Sequence, residues 1–149
     1  MPKLYPTLSI RQPWAGLLAL GIKPIENRSW CANPKYYKEE FLFHAGKLVD
    51  RDAMCGGNSI IDAAECLVSY VGGDVIEFKN RLIGNEHVFN CGGIVGRATL
   101  AGCSYIRSAR WGRPNQNHWV FTCASPVPFQ PLKGRLGIFM TNFEVQKNE

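Results

Sequence analysis

The chain has 149 residues, of which 46% are hydrophobic and 19% charged, and its formal net charge is +5. This composition predicts a single domain over residues 1–149 with its own core, and it argues against a disordered or coiled-coil chain. No apolar run approaches the roughly 18 residues that span a bilayer, and the first residues lack a signal-peptide core. We therefore expect a cytoplasmic protein without a membrane segment, and the positive charge mildly favours a polyanionic partner.

The six cysteines show no pattern of a metal or redox site. None are spaced as C-x-x-C, and no close cysteine–histidine pair has the spacing of a zinc site. Thiols stay reduced in the cytosol, and Cys66, Cys103 and Cys123 fall in helix-like or strand-like patterns that are typical of buried structural thiols. We therefore predict reduced cysteines, no metal and no cofactor.

Residues 5–30 predict a strand, a short helix and an extended segment. The strand is Tyr5–Ile10, and Pro13 suits the first position of the helix that follows. Gly21 suits the position just past the helix end, where a positive φ is often required. One buried helix stripe is predicted from the spacing of Trp14, Leu17, Leu18 and Gly21. Trp14 is accordingly either a core residue or part of a cleft, and Ile25–Trp30 is extended.

Polar and charged side chains lie at both ends of this helix. Backbone N–H groups and the helix dipole favour an anion at the N-terminus, where Arg11 and Gln12 lie, and a guanidinium binds phosphate bidentately. Lys23, Glu26 and Arg28 follow the other end. A lysine beside a carboxylate can act as base, nucleophile or oxyanion stabiliser, whereas the alternative is a surface ion pair of little energetic weight.

Residues 31–38 are predicted to form a loop. Tyr36 and Tyr37 lie in it between Lys35 and Lys38, so aromatic and cationic groups alternate there. Base stacking on aromatic side chains contributes about 1–3 kcal/mol per base in single-strand sites. We therefore predict that the two tyrosines are exposed and stack on bases.

Residues 41–45 are a short apolar run that predicts a central strand. His44 lies in it, and two interpretations remain open: a satisfied core histidine, or a side chain that projects into the cleft with Lys47 just beyond. RNA cleavage by internal transesterification needs a base, an acid and a cation near the phosphorane. His44, Lys23 or Lys47, and Arg11 would supply these groups without a metal.

The remaining elements predict an α+β fold with several strands and few helices. In chain order they are a largely helical segment at 50–71 divided by glycines, a flexible excursion at 74–90, strands at 92–103 and 118–124, an irregular connection at 125–133 and a closing strand that ends near Val145. Glycines inside a strand commonly mark bulges or bends, as small barrels need. We therefore predict a small β-barrel with two to four helices packed around it.

Five short motifs, spread from residue 8 to residue 139, resemble one known family. They are Leu8-Ser9-Ile10-Arg11-Gln12-Pro13-Trp14-Ala15, Gly21-x-Lys23-x-x-Glu26-x-Arg28, His44-Ala45-Gly46-Lys47, Gly92-Gly93-Ile94-Val95-Gly96 and Lys133-Gly134-Arg135-Leu136-Gly137-Ile138-Phe139. Together they resemble an ASCH domain of the PUA-like superfamily. The resemblance implies a β-barrel with helices around it and a cleft lined by the second motif.

The resemblance also implies RNA or nucleotide-like ligands. Members of the wider family include RNA-binding modules, proposed ribonucleases and small amidohydrolases that remove an acetyl group from N4-acetylcytidine. In the amidohydrolases a lysine, a threonine and a glutamate are the active groups. Lys23 matches the lysine, whereas Glu26 stands where the threonine aligns and the second acidic residue has no match in this sequence.

These observations lead to a hypothesis of RNA or modified-nucleoside binding in a basic cleft, with a role in RNA processing. The residues predicted to bind are Arg11, Gln12, Trp14, Arg28, Tyr36, Tyr37 and Lys47, and those predicted for catalysis are Lys23, Glu26 and His44. Two alternatives remain: a metal-independent hydrolase that acts on RNA or a nucleoside amide, and a non-enzymatic protein-interaction domain. The sequence leaves open whether the chain is an enzyme.

Overall fold

The computed structural model describes residues 3–55, 59–104 and 111–144. In this part of the chain six strands form one mixed sheet: β1 Lys3–Gln12, β2 Ile25–Arg28, β3 Glu40–Val49, β4 Gly93–Ser104, β5 Asn117–Pro131 and β6 Ile138–Phe143. The helices described are α1 Trp14–Ala19, α2 Arg51–Met54, α3 Ile60–Val71 and α4 Val75–Leu82, with 3₁₀ turns at Pro34–Tyr36 and Glu86–Phe89. The α+β class is therefore confirmed.

The strand order is β2-β5-β4-β3-β1-β6, which leaves β2 and β6 at the two edges. β1 and β3 are parallel, and the other neighbours are antiparallel. Register shifts interrupt the ladders on both sides of β4, and such irregularities bend and twist a sheet. No ladder joins β2 to β6 among the described residues, so the predicted closed barrel is not confirmed.

Helix α1 lies between the sheet and the other helices. Its residues Ala15–Ala19 are all buried, so the predicted single stripe understates its burial. Leu18 packs with sheet residues such as Phe43, whereas Leu17 packs with Leu67 of α3 and Leu82 of α4. The helix ends as predicted, with Gly21 at a φ of +72°. Because α1 packs against the sheet on one side and against α3 and α4 on the other, the segments at its two ends are held in place by the core.

Two segments differ from their predicted structure. Residues 74–90, predicted as a flexible excursion, form α4 and a 3₁₀ turn, with Phe78, Leu82 and Val88 buried. Residues 125–133 were expected to be irregular, yet β5 continues to Pro131. In the described chain β2 pairs with β5 only at residues 117–120, so the later part of β5 has one free edge. A proline whose missing N–H faces a free edge removes no ladder hydrogen bond.

The helical prediction for 50–71 is confirmed at both helices. Asp50 caps α2 and Ser59 caps α3, each by accepting a hydrogen bond from a backbone N–H three residues later. The dividing glycines 56–57 and Val145, the predicted end of the last strand, lie outside the described residues. None of the described helices has the length and apolarity needed to cross a bilayer.

The prediction of reduced, buried cysteines is wrong for most of them. Cys31 is bonded to Cys103, which ties the segment after β2 to the end of β4, and Cys55 is bonded to Cys66, which ties α2 to α3. Cys91 and Cys123 are free thiols, and both are exposed. The sequence placed Cys66 in a helix and Cys103 and Cys123 in strands correctly, but pairing depends on which segments the fold brings together.

Candidate functional site

One cleft of about 920 Å³ is lined by residues of β1, β2 and β3 and by two loops, residues 111–116 and 132–137. Seven predicted site residues line it, from three separate stretches of chain: Arg11, Trp14, Lys23, Glu26, Arg28, His44 and Lys47. Ser9 also lines it and was not predicted from the sequence. These polar groups, which are distant along the chain, therefore lie around one cleft, as the sequence predicts.

Lys23, Glu26 and Arg28 form a charged trio at the floor of the cleft, in which Lys23 and Glu26 are buried and Arg28 is half-buried. Glu26 accepts hydrogen bonds from Lys23 Nζ at 3.4 Å and from Arg28 Nη2 at 3.3 Å, one at each carboxylate oxygen. Lys23 is 4% exposed and Glu26 is 6% exposed. Glu26 and Arg28 are two positions apart in β2 and therefore lie on the same face of the strand, as the sequence predicts. The trio is thus a largely buried charge cluster and not a surface ion pair.

Burial lowers the pKa of Lys23, because the charged ammonium is removed from water. The carboxylate of Glu26 opposes this shift, whereas the positive charges of Arg113 and Arg28 add to it. The Lys23 ammonium also lies over the Trp14 ring, 5.1 Å from its centroid. A lowered pKa makes the proton of an ammonium easier to lose, and the neutral amine can accept a proton or attack a carbonyl carbon.

Trp14 belongs to both the core and the cleft. Its ring packs against both large core clusters, and its indole Nε1 donates a hydrogen bond to Asp50 Oδ2 at 2.9 Å. Asp50 also caps α2. The two interpretations of Trp14 are therefore compatible, since one edge of the ring is packed while the residue still lines the cleft.

Five exposed cations surround the trio, and we call them the cationic rim: Arg11, Lys47, Arg113, Lys133 and Arg135. None of them forms an ion pair with another described residue. Sequence analysis missed Arg113, and it quoted Lys133 and Arg135 only as part of a motif. A basic residue beside a glycine in a loop was the available signal, but nothing in the sequence showed that two distant loops meet.

Gln12 lies outside the cleft, contrary to its predicted role in binding. The side chain is 2% exposed, and its amide donates to the backbone carbonyls of Val88 and Asn90. Its Oε1 accepts a hydrogen bond from the Gly16 backbone N–H at 3.0 Å. Gln12 therefore satisfies a backbone N–H in the first turn of α1 and holds the segment at residues 88–90, and it does not line the cleft.

His44 reaches the cleft floor with both ring nitrogens already engaged. Nε2 lies 2.6 Å from the carbonyl oxygen of Leu132, and Nδ1 lies 2.9 Å from Ser9 Oγ. A carbonyl only accepts hydrogen bonds, so Nε2 must carry the proton and Nδ1 accepts from the serine hydroxyl. The ring is 2% exposed. His44 is therefore a satisfied, buried histidine that also lines the cleft floor, and with both ring nitrogens engaged it is poorly placed to act as a base for a 2′-hydroxyl.

Tyr36 and Tyr37 lie away from the cleft and are half-buried. Tyr36 packs edge-to-face on Phe41 at 5.8 Å between centroids. Tyr37 points its hydroxyl at the Cys103 carbonyl. Both rings therefore extend the core and do not form an exposed stacking platform, because the short loop brings them back onto the sheet.

Asn27 is a cleft residue that was not among the predicted site residues. Its Nδ2 donates to the Trp111 carbonyl at 3.0 Å, and its Oδ1 accepts from the Arg113 backbone N–H at 2.8 Å. Asn27 thus fixes residues 111–113 against the sheet. Its position inside the lysine–glutamate–arginine motif was the signal that could have drawn attention to it.

Comparison with known proteins identifies the family of the chain. A search of curated proteins found no match. The model of the ASCH domain matches residues 8–133, a range that includes every cleft residue up to Lys133. The chain therefore belongs to the ASCH domain family.

Proposed function

We propose that the chain is a single ASCH domain whose cleft binds RNA or a modified nucleoside. The observation that carries the proposal is the charged trio at the floor of a cleft with a cationic rim. Seven cations and two carboxylates, Glu26 and Asp50, line this cleft. Such an excess of positive charge favours a polyanion, since phosphate contacts supply much of the affinity for nucleic acids.

The floor offers hydrogen-bond donors in excess of acceptors. Arg28 Nη2 donates to the Ser9 carbonyl at 2.7 Å and to Glu26, which leaves Nε and Nη1 without a partner among the described residues. Lys23 donates one hydrogen bond to Glu26, and an ammonium has three N–H groups. Free donors of this kind match phosphate oxygens or base carbonyl oxygens. Glu26 holds both side chains in place at the floor of the cleft.

The salt dependence of binding tests this proposal. A short labelled single-stranded RNA is titrated with protein between about 50 and 200 mM salt, and log K is plotted against log salt. We expect a steep negative slope, with each phosphate contact contributing about −0.7. Arg113→Ala removes a rim cation and should make the slope less negative by about that amount. Arg81→Ala, an exposed arginine on α4 outside the cleft, is the matched control.

Two results would count against RNA binding. A flat salt titration would point to a small neutral ligand. Equal slopes for wild type, Arg113→Ala and Arg81→Ala would place the RNA elsewhere. If RNA does not bind at all, the protein-interaction alternative gains support, and an acidic protein partner becomes the next ligand class to test.

A second candidate, hydrolysis of a nucleoside amide, is favoured by the buried amine of Lys23 beside Glu26. The family resemblance suggests N4-acetylcytidine, which water would cleave to cytidine and acetate. Wild-type protein should release acetate, and Lys23→Met should not, because it removes the amine while preserving the apolar stem. Release of no product by wild type would leave binding as the function. The ribonuclease alternative is weaker, because both ring nitrogens of His44 are already engaged within the protein.

A further inference from the structure

Two buried histidines hold the two loops that carry most of the rim. His44 of β3 donates Nε2–H to the Leu132 carbonyl at 2.6 Å, at the start of the loop with Lys133 and Arg135. Gly134 of the same loop lies against the ring: a Cβ there would be 2.6 Å from His44 Cε1 and 2.8 Å from Nδ1. Only glycine allows the loop to approach the imidazole this closely.

His118 of β5 makes the same contact with the other loop. Its Nε2 donates to the Arg113 carbonyl at 2.9 Å, and its ring is fully buried. A Cβ on Gly112 would lie 2.8 Å from Nε2. His118 stands directly opposite Asn27 in the β2–β5 ladder, and Asn27 bonds the backbone of the same loop. Residues 111–113 are therefore held from two neighbouring strands.

We infer that His44 and His118 are positioning residues that set the ligand affinity of the cleft by fixing its two cationic loops. The inference rests on the proposed function for what the cleft binds. Each histidine donates a hydrogen bond to a backbone carbonyl of its loop. In each loop a glycine packs on the histidine ring, next to the cationic residues. A loop held in its binding conformation loses less entropy when ligand binds, which increases affinity without a new ligand contact.

The hydrogen-bond partners of the two histidines argue against a direct role for either ring in ligand chemistry. A carbonyl partner requires Nε2–H on both histidines, so the only lone pair is on Nδ1. In His44 that nitrogen accepts from Ser9 Oγ. In His118 it has no hydrogen-bond partner among the described residues, and the residue is 0% exposed, so a ligand cannot reach it. Neither ring can therefore take a proton from a ligand in the cleft.

The salt slope of RNA binding distinguishes positioning from a general effect on folding. His118→Ala should reproduce the change of about 0.7 expected for Arg113→Ala, and the double variant should show no further change, because both remove one phosphate contact. His118→Gln should restore the wild-type slope, since its Nε2–H replaces the donor. His44→Ala should change the slope by up to about 1.4, through Lys133 and Arg135. His87→Ala, an exposed histidine outside the cleft, is the control.

A second variant and a second readout keep the inference falsifiable. If His118→Ala does not fold, Gly112→Ala disturbs the same contact while the histidine stays in place. Hydrogen exchange of residues 111–116 in the free protein should accelerate in His118→Ala and return to normal in His118→Gln, whether or not RNA is the ligand. A wild-type protein that binds no RNA would overturn the proposed function. Unchanged exchange and an unchanged slope in the histidine variants would overturn this inference alone.

Discussion

Replacing Glu26 by glutamine should destabilise the protein strongly, although the two side chains have nearly the same shape. Glutamine has no negative charge, and it presents N–H groups to Lys23 or Arg28, which are themselves donors. Breaking a buried ion pair by removing one partner costs about 3–5 kcal/mol. The Arg28 side chain is 26% exposed and partly solvated, so the lower value applies. For a chain of this size, about 3 kcal/mol lowers Tm by about 6–12 °C.

The assay is urea unfolding of wild type and variants without reductant, which keeps both disulfides intact. Glu40→Gln is a matched control, because Glu40 pairs with Arg97 at 3.2 Å but both side chains are about one-third exposed. Such a pair contributes at most about 1 kcal/mol. Lys23→Met combined with Glu26→Gln should be less destabilised than the sum of the single variants, by about 0.5–3 kcal/mol.

The reasoning would be refuted by a loss of less than about 1 kcal/mol for Glu26→Gln, with single effects that add. That outcome would mean that water reaches the trio and screens its charges. A similar loss for Glu40→Gln would also contradict it, because burial is the feature that separates the two pairs.

Three further predictions concern the charge, the thiols and the packing. Burial lowers the pKa of Lys23, so between that pKa and 10.5 the unfolded state binds more protons than the folded state. The free energy of unfolding should therefore rise with pH in this window. Unfolding curves of Lys23→Met should lack this rise. Iodoacetamide without reductant should label Cys91 and Cys123 only, and labelling of all six cysteines by mass spectrometry would contradict the two disulfides. Gly96→Ala should cost about 1–3 kcal/mol because its Cβ would meet α1 at 2.9 Å, whereas Gly102→Ala, with open space around it, should leave Tm unchanged.

Predictions that depend on neighbouring residues agree with the structure. Gly21 adopts the positive φ expected after α1, and Ser59 caps α3 as its side chain favours. Glu26 and Arg28 share a face because strand side chains alternate, whatever the rest of the fold does. These features are decided within a few residues, so the sequence carries them directly.

Predictions that depended on distant partners were less complete. The tyrosines at 36 and 37 look exposed beside their lysines, but the return of their loop onto the sheet makes them part of the core. Pro126 and Pro128 suggest an irregular segment, yet one free edge of β5 accommodates them. Gln12 beside an exposed Arg11 suggests a ligand contact, but it instead satisfies backbone groups more than 70 residues away.

The sequence by itself determined the α+β class, the family and the cluster of Lys23, Glu26 and Arg28, since these follow from local periodicity and from motifs read in order. Only the tertiary structure decided which cations complete the cleft and why two histidines are buried behind it. The loops at 111–116 and 132–137 line one cleft although their anchoring histidines pair with opposite ends of β4, His44 with Ile94 and His118 with Ser104. Curvature of the sheet brings these ends together, as the hydrogen bond from Arg28 of β2 to Ser9 of β1 shows. Long-range strand pairing creates that proximity, and no local pattern records it.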